Sequence, residues 1–169
     1  MSQLSFSSFD SLLHLRDTQG RYRLASVEQI LEAAREAIDQ KVQRGAEFSS
    51  PAVVKEYLRA KLAGFEHEVF AVLFLDTQHR LIEYTEMFRG TIDSASVHPR
   101  EVVKEALRAN AAAAILAHNH PSGHPEPSAA DRALTQQLKA ALGLVDVRTL
   151  DHIIVAGVAT TSFAERGLL

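Results

Sequence analysis

The stretch "AAAILAHNHPSGHPEPSAAD", residues 112–131, decides how the chain is read. It opens with a short apolar run leading straight into His118, Asn119 and His120, as a buried strand with a functional tip would. Side chains alternate along a strand, so His118 and His120 leave one face together while Asn119 leaves the other. Pro121, Gly123, Pro125 and Pro127 make a stiff, turned link to Ser128. From there "SAADRALTQQLKAALG" (128–143) has the spacing of a helix that stops at Gly143. Ser128 and Asp131 fit the S-x-x-D pattern of a helix cap, which proteins without any metal also use. Asp131 is equally the natural third ligand for a metal held by His118 and His120, and one carboxylate oxygen can serve each purpose. Two histidines, one aspartate and an open fourth position make a catalytic arrangement, because structural zinc sites are closed.

Working outward, "EVFAVLFLD" (68–76) is apolar on both parities, the pattern of a strand buried on both faces. A turn at 77–79 returns the chain as a neighbouring strand, "RLIEYTEMF" (80–88). "HPREVVKEALRANA" reads as a helix opening on Pro99, "VRTLDHIIVAG" (147–157) as another strand and "SFAERG" (162–167) as a short terminal helix. Toward the amino terminus, a helix is expected from Pro51 to Ala63, capped by Ser50 and stopped by Gly64. An earlier one, "SVEQILEAAREAIDQKVQR", carries Ile30, Leu31, Ala34 and Ile38 on one stripe behind a Ser26–Gln29 capping box. Residues 1–25 are polar and Ser-rich and read as an arm. The order β-β-α-β-α-β predicts an α/β sandwich around a mixed sheet. It divides into an arm and helix (1–45) and a main domain (46–169).

The 169 residues, 46% of them hydrophobic, suit a single buried core. No apolar run approaches the roughly 20 residues that cross a bilayer, and no basic stretch leads into an apolar one at the start, so a cytoplasmic protein without a signal peptide is expected. The absence of cysteine removes disulfides and thiolate zinc sites, leaving histidine and carboxylate as the ligands on offer. A formal net charge of −3 argues against a domain built mainly to grip phosphate backbones.

The run His118-x-His120, seven residues, Ser128, two residues, Asp131 resembles the HxH-x7-SxxD signature of the JAMM (MPN) metalloprotease family. "HNHPSG", "FRGTID" (88–93), "HPRE" (98–101) and "LDHII" (150–154) resemble landmarks of its RadC-like branch, and the likeness covers about residues 50–169. The resemblance implies a cytidine-deaminase-like, MPN-type α/β sandwich behind an N-terminal helix. It implies a zinc ion held by His118, His120 and Asp131, with Ser128 hydrogen-bonding the substrate carbonyl and an upstream glutamate as general base. Glu68, some fifty residues before the first histidine, is the favoured base, with Glu66, Glu83, Glu86 and Glu101 as alternatives. The implied reaction is hydrolysis of a peptide or isopeptide bond in a peptide or protein substrate.

Two other functions compete. RadC-like proteins carry a DNA-repair label and associate with mobile elements, so DNA binding or a nuclease is one, although three adjacent letters H-N-H do not make an HNH nuclease. No glycine-containing hairpin signal stands before residue 50, which sets this chain apart from longer relatives and weakens the expectation of DNA contact. A non-catalytic interaction domain is the other, and the complete ligand set disfavours it. Among the remaining histidines, His124 is expected in an exposed loop, His152 in a structural part near the site, and His98 as a helix cap. His14, His67 and His79 carry no reading.

Overall fold

A computed structural model describes residues 13–42, 45–48, 50–90 and 97–169. The first twelve residues of the expected arm, and Thr91 to Asp93 of "FRGTID", lie outside them. In chain order the elements are β1 (His14–Arg16), β2 (Tyr22–Leu24), α1 (Val27–Lys41), α2 (Pro51–Leu62), β3 (Val69–Leu75), β4 (Leu81–Arg89), α3 (Pro99–Arg108), β5 (Ala113–Asn119), α4 (Ala129–Gly143), β6 (Arg148–Ala156) and β7 (Ala159–Ser162).

Five strands form one sheet in the order β4-β3-β5-β6-β7, with β5 and β6 parallel and the other pairs antiparallel. The expected α/β architecture with a mixed sheet is therefore what forms. β3 and β5 are buried along their whole length because helices cover both faces of the sheet. Odd-numbered residues such as Val69, Leu73, Ile115 and Ala117 pack with Val54, Leu58 and Leu62 of α2. Even-numbered ones such as Phe70, Phe74 and Leu116 pack with Val102 of α3 and Leu138 and Leu142 of α4. Each large side chain fully buried in this way contributes roughly 1.5–3 kcal/mol. This parity fixes the site: His118 is even-numbered and belongs to the α4 face, whereas Asn119 belongs to the α2 face.

The parallel step from β5 to β6 needs a crossover, and α4 supplies it. Its capped start meets the end of β5, with Asp131 3.3 Å from His118. Helix α2 begins as expected, with Ser50 accepting from Val53 N–H and Pro51 in the first turn, and Gly64 follows with φ +76°. The left-handed backbone at Gly64 is what favours glycine there, and an added Cβ would also push the Leu31 side chain of α1 aside.

Four expectations need correction. Residues 14–24 form a β-hairpin, closed by an Asp17–Gly20 turn in which Gly20 has φ +82°. A glycine-containing hairpin therefore does precede residue 50; its three-residue strands are too short to show an alternating pattern. Ala34 is exposed, and Arg35 takes its place on the inner side of α1. The "SFAERG" segment is not a helix: β7 ends at Ser162 and turns follow. The buried Asp151 carboxylate accepts from Ser162 Oγ at 2.5 Å and Ala164 N–H at 2.9 Å, and the segment makes a single turn, Arg166 N–H to Ser162 C=O at 3.3 Å, before Gly167 at φ +66° ends it. His98 occupies the N-cap position of α3, but its side chain makes no capping hydrogen bond.

Candidate metal centre

Strand β5 delivers its two histidines to one point. His118 is 1% exposed at the end of the strand, and the His120 N–H extends the ladder by donating to Val155 C=O at 2.8 Å. The following turn uses Gly123 at φ +75°, with its N–H donating to His120 C=O at 3.0 Å. The Thr161 hydroxyl holds the loop by donating to Pro125 C=O at 2.7 Å. Helix α4 then begins with the capping box that S-x-x-D promised. Asp131 N–H donates to Ser128 Oγ at 3.0 Å, and Ser128 N–H donates to Asp131 Oδ2 at 2.7 Å.

The box aims the Asp131 carboxylate at the histidines. Oδ1 lies 3.3 Å from His118 Nε2 and Oδ2 lies 3.6 Å from His120 Nε2, while the two Nε2 atoms are 2.9 Å apart. His118, His120 and Asp131 thus form a group that could hold a metal ion.

Proton counting tests whether a cation suits this group. His120 Nδ1 is 2.6 Å from His124 C=O, and a carbonyl only accepts, so Nδ1 carries the hydrogen and Nε2 is bare in the neutral ring. Thr135 Oγ1 donates its one hydrogen to Asp131 C=O at 2.6 Å, so it accepts from His152 Nδ1 at 2.7 Å. The fully buried His152 is held neutral, because burial pushes its pKa well below that of free imidazole. Its Nε2 is then bare and accepts from His118 Nδ1–H at 2.8 Å. His118 Nε2 is bare in turn. Two imidazole lone pairs and a carboxylate converge with both ring N–H groups committed elsewhere, which is what a divalent cation requires.

The same three groups attract one another when a proton replaces the cation. Burial alone would raise the Asp131 pKa, but the facing His118 and His120 rings, donating when their Nε2 atoms are protonated, and Ser128 hold it well below the usual carboxylate range. The Asp131 carboxylate raises the His120 pKa against the opposing effect of burial, and the Glu68 charge adds to the rise. Glu68 is half-buried immediately before β3, with its carbonyl accepting from Gly90 N–H at 2.8 Å.

Among these glutamates, Glu68 has a charge that raises the pKa of the candidate ligand His120. Glu83 pairs with Arg108, Glu86 with Arg89 and Glu101 with Lys104, while Glu66 is exposed. Asn119 turns aside as alternation requires; it accepts from Val69 N–H at 2.7 Å and donates to His67 C=O at 3.0 Å. That pair of bonds fixes the start of β3 beside β5, and with it the backbone that carries Glu68. His124 is exposed and contributes its carbonyl, not its ring, to the site. His79 turns at φ +60°, with Nε2 3.3 Å from an Arg148 guanidinium nitrogen.

Thr135 went unnoticed in the sequence. It is fully buried on the stripe that also carries Leu138 and Leu142. A hydroxyl one turn after a candidate ligand, on an otherwise apolar face, is the signal that would have found it.

Comparison with known proteins agrees with this geometry. The RadC-like JAB domain family matches residues 48–168. A UPF0758 protein of Vibrio cholerae is 64% identical over 140 residues, covering 83% of this chain and 88% of its own. UPF0758 proteins of Methylibium petroleiphilum and Leptothrix cholodnii are 61% and 57% identical over 150 residues, covering 89% of this chain and 68% of theirs. The sheet, the strand-end histidines and the capped aspartate are thus those of a chain that belongs to the RadC-like JAB domain family.

Proposed function

We propose that this protein is a zinc-dependent hydrolase of peptide or isopeptide bonds, a specific form of the metal-dependent hydrolysis open to JAB-domain proteins. The convergence of two bare Nε2 atoms and one carboxylate carries the reading. A bound zinc ion supplies Lewis acidity, lowering the pKa of a water to about 7 and polarising a carbonyl.

The chain's own residues supply the rest. Asp131 offers the oxygen that its cap leaves over, and His118 and His120 keep their N–H groups turned away from the reacting centre. The Glu68 carboxylate takes a proton from the attacking water and passes it to the leaving amine. Ser128 Oγ accepts within the capping box, so its hydroxyl hydrogen is not spent there and can donate to the oxygen of the attacked carbonyl.

Proteome-wide comparison of cleavage products from wild type and Glu68→Gln, with zinc content measured in both, tests this. We expect equal zinc and a loss of turnover of about a hundredfold or more, in line with removal of a general base. Equal hydrolysis by both proteins would remove Glu68 from the role, and absence of zinc from protein supplied with it would sink the reading.

DNA contact is a second reading, favoured by the exposed Arg16 and Arg23 on the β1–β2 hairpin, where Arg21 is paired with Asp17. A DNA-binding titration across salt concentrations tests it, because phosphate contacts weaken steeply as salt rises. Affinity that is absent at low salt ends this alternative. No described helix is long and apolar enough to cross a membrane.

A further inference from the structure

We infer that Thr135 and His152 are a positioning pair that holds His118 as its Nδ1–H tautomer and so keeps the Nε2 lone pair available to a metal. The inference rests on the metal-site reading above but not on any substrate.

The pair is sealed off. Thr135 and His152 are both fully buried, and the His152 ring is stacked on Phe163 with centroids 4.7 Å apart and met edge-on by Phe70 at 5.7 Å. In such surroundings the two ring nitrogens have the partners on either side and no water to replace them. The order of donation is set at one end by an atom that can only accept, the Asp131 carbonyl. From it the hydrogens run in one direction: Thr135 hydroxyl to Asp131, His152 Nδ1–H to Thr135, His118 Nδ1–H to His152. The chain therefore joins the backbone of one candidate ligand to the ring of another, across α4, β6 and β5. His120 needs no such device, because a backbone carbonyl fixes its tautomer directly.

The consequence is specific. Replacing the Thr135 hydroxyl with a methyl strands the His152 Nδ1–H in an apolar box. Shifting that hydrogen to Nε2 relieves it, since His152 can then donate to His118 Nδ1. His118 must carry its own hydrogen on Nε2, in the position the metal needs. A substitution that touches no metal ligand thus blocks one.

The test uses Thr135→Val, close to threonine in shape, with Thr135→Ser as the conservative restoration. Two quantities are read in the full chain: the zinc dissociation constant by competition with a chelator, and the His118 tautomer in metal-free protein from its imidazole 15N shifts. We expect Thr135→Val to weaken zinc binding roughly ten- to hundredfold and to move His118 to the Nε2–H form, and Thr135→Ser to restore both. A folded Thr135→Val protein that binds zinc as wild type does, or keeps His118 in the Nδ1–H form, overturns the inference.

His152→Gln and His152→Leu give a second arm should Thr135→Val not fold. The glutamine oxygen can accept from His118 and leucine cannot, so a smaller loss in affinity for glutamine is expected, and equal losses count against the pair. A wild type that holds zinc and the Nδ1–H tautomer yet cleaves nothing would count against the hydrolase reading alone.

Discussion

Helices α1 and α4 are the same length, 15 residues, and start with the same reciprocal hydrogen bonds. In α1, Ser26 Oγ accepts from Gln29 N–H at 3.3 Å and Ser26 N–H donates to Gln29 Oε1 at 3.1 Å. In α4, Ser128 and Asp131 do the same at 3.0 and 2.7 Å. There the likeness ends. Helix α4 buries Thr135, Leu138 and Leu142 against the sheet, whereas α1 buries no residue. Instead Arg35 of α1 donates to the Lys61 and Ala63 carbonyls at the end of α2, and Asp39 pairs with Lys61 at 2.8 Å. The lesson is that one capping device serves two ends. A neutral glutamine closes a helix on the outside of the fold. An aspartate in the same place closes a helix and still presents charge to two histidines.

The sharpest way to break the comparison is to give α4 the box of α1. Asp131→Gln keeps a side-chain acceptor for the Ser128 N–H, so the cap's own share of stability should change by about 1 kcal/mol or less, while the carboxylate and its attraction for the two histidines are lost. Zinc affinity should fall more than about a hundredfold, beyond what outer partners of a ligand usually carry. Chemical denaturation and chelator competition on the same samples separate the two effects. A variant that keeps zinc would show that the carboxylate is only a cap.

Next in size is a pH effect that α1, with its neutral box, cannot show. Asp131 has a lowered pKa in the folded, metal-free protein, so its stabilisation is present above the ordinary value of 3.8 and is lost as pH falls through the folded value. His120 has a raised pKa, so its stabilisation is complete below the ordinary 6.5 and is lost as pH rises through the folded value. Between these limits the pair is charged and its contribution to the stability of the metal-free protein is complete. Zinc reverses the upper limb, because a ligand imidazole must shed its proton first. Zinc affinity should therefore rise by up to about tenfold per unit as pH climbs toward the His120 pKa, then level off. Thermal melts from pH 5 to 8, with and without zinc, check both limbs. A zinc-induced gain in Tm that is flat across that range would contradict the assignment of His120 as a ligand.

How much of this could be read from the letters depended on how local each signal was. Both capping boxes, the Pro51 helix start and the Gly64 stop are set by neighbours in sequence, and all were legible. The all-apolar runs of β3 and β5 showed strands covered on both faces, and alternation gave the opposite directions of His118 and Asn119. The hairpin at 14–24 was hidden by strands of three residues, and β7 by a four-residue "ATTS" with almost no apolar content. The Asp151 carboxylate that anchors the start of "SFAERG" acts across eleven residues of sequence on Ser162, a contact no local pattern carries. The Thr135–His152–His118 chain was hidden for the same reason: its members are joined by the sheet, not by spacing.

The smallest expected effect returns to α1. Ser26→Ala removes one acceptor from the first turn and should cost about 1 kcal/mol. Because α1 buries no residue, little core packing couples its first turn to the rest of the fold. The loss should then appear as fraying, with amides of the first turn exchanging hydrogen roughly fivefold faster, while the amides of β3 and β5 keep their rates. Zinc affinity should not change. Ser128→Ala carries the same capping cost but should also lower turnover, since the hydroxyl that caps α4 faces the reacting carbonyl in the proposed reaction. If exchange in β5 quickens in Ser26→Ala, α1 is coupled to the core more tightly than its surface contacts imply, and the division between an outer, structural box and an inner, functional one would have to be redrawn.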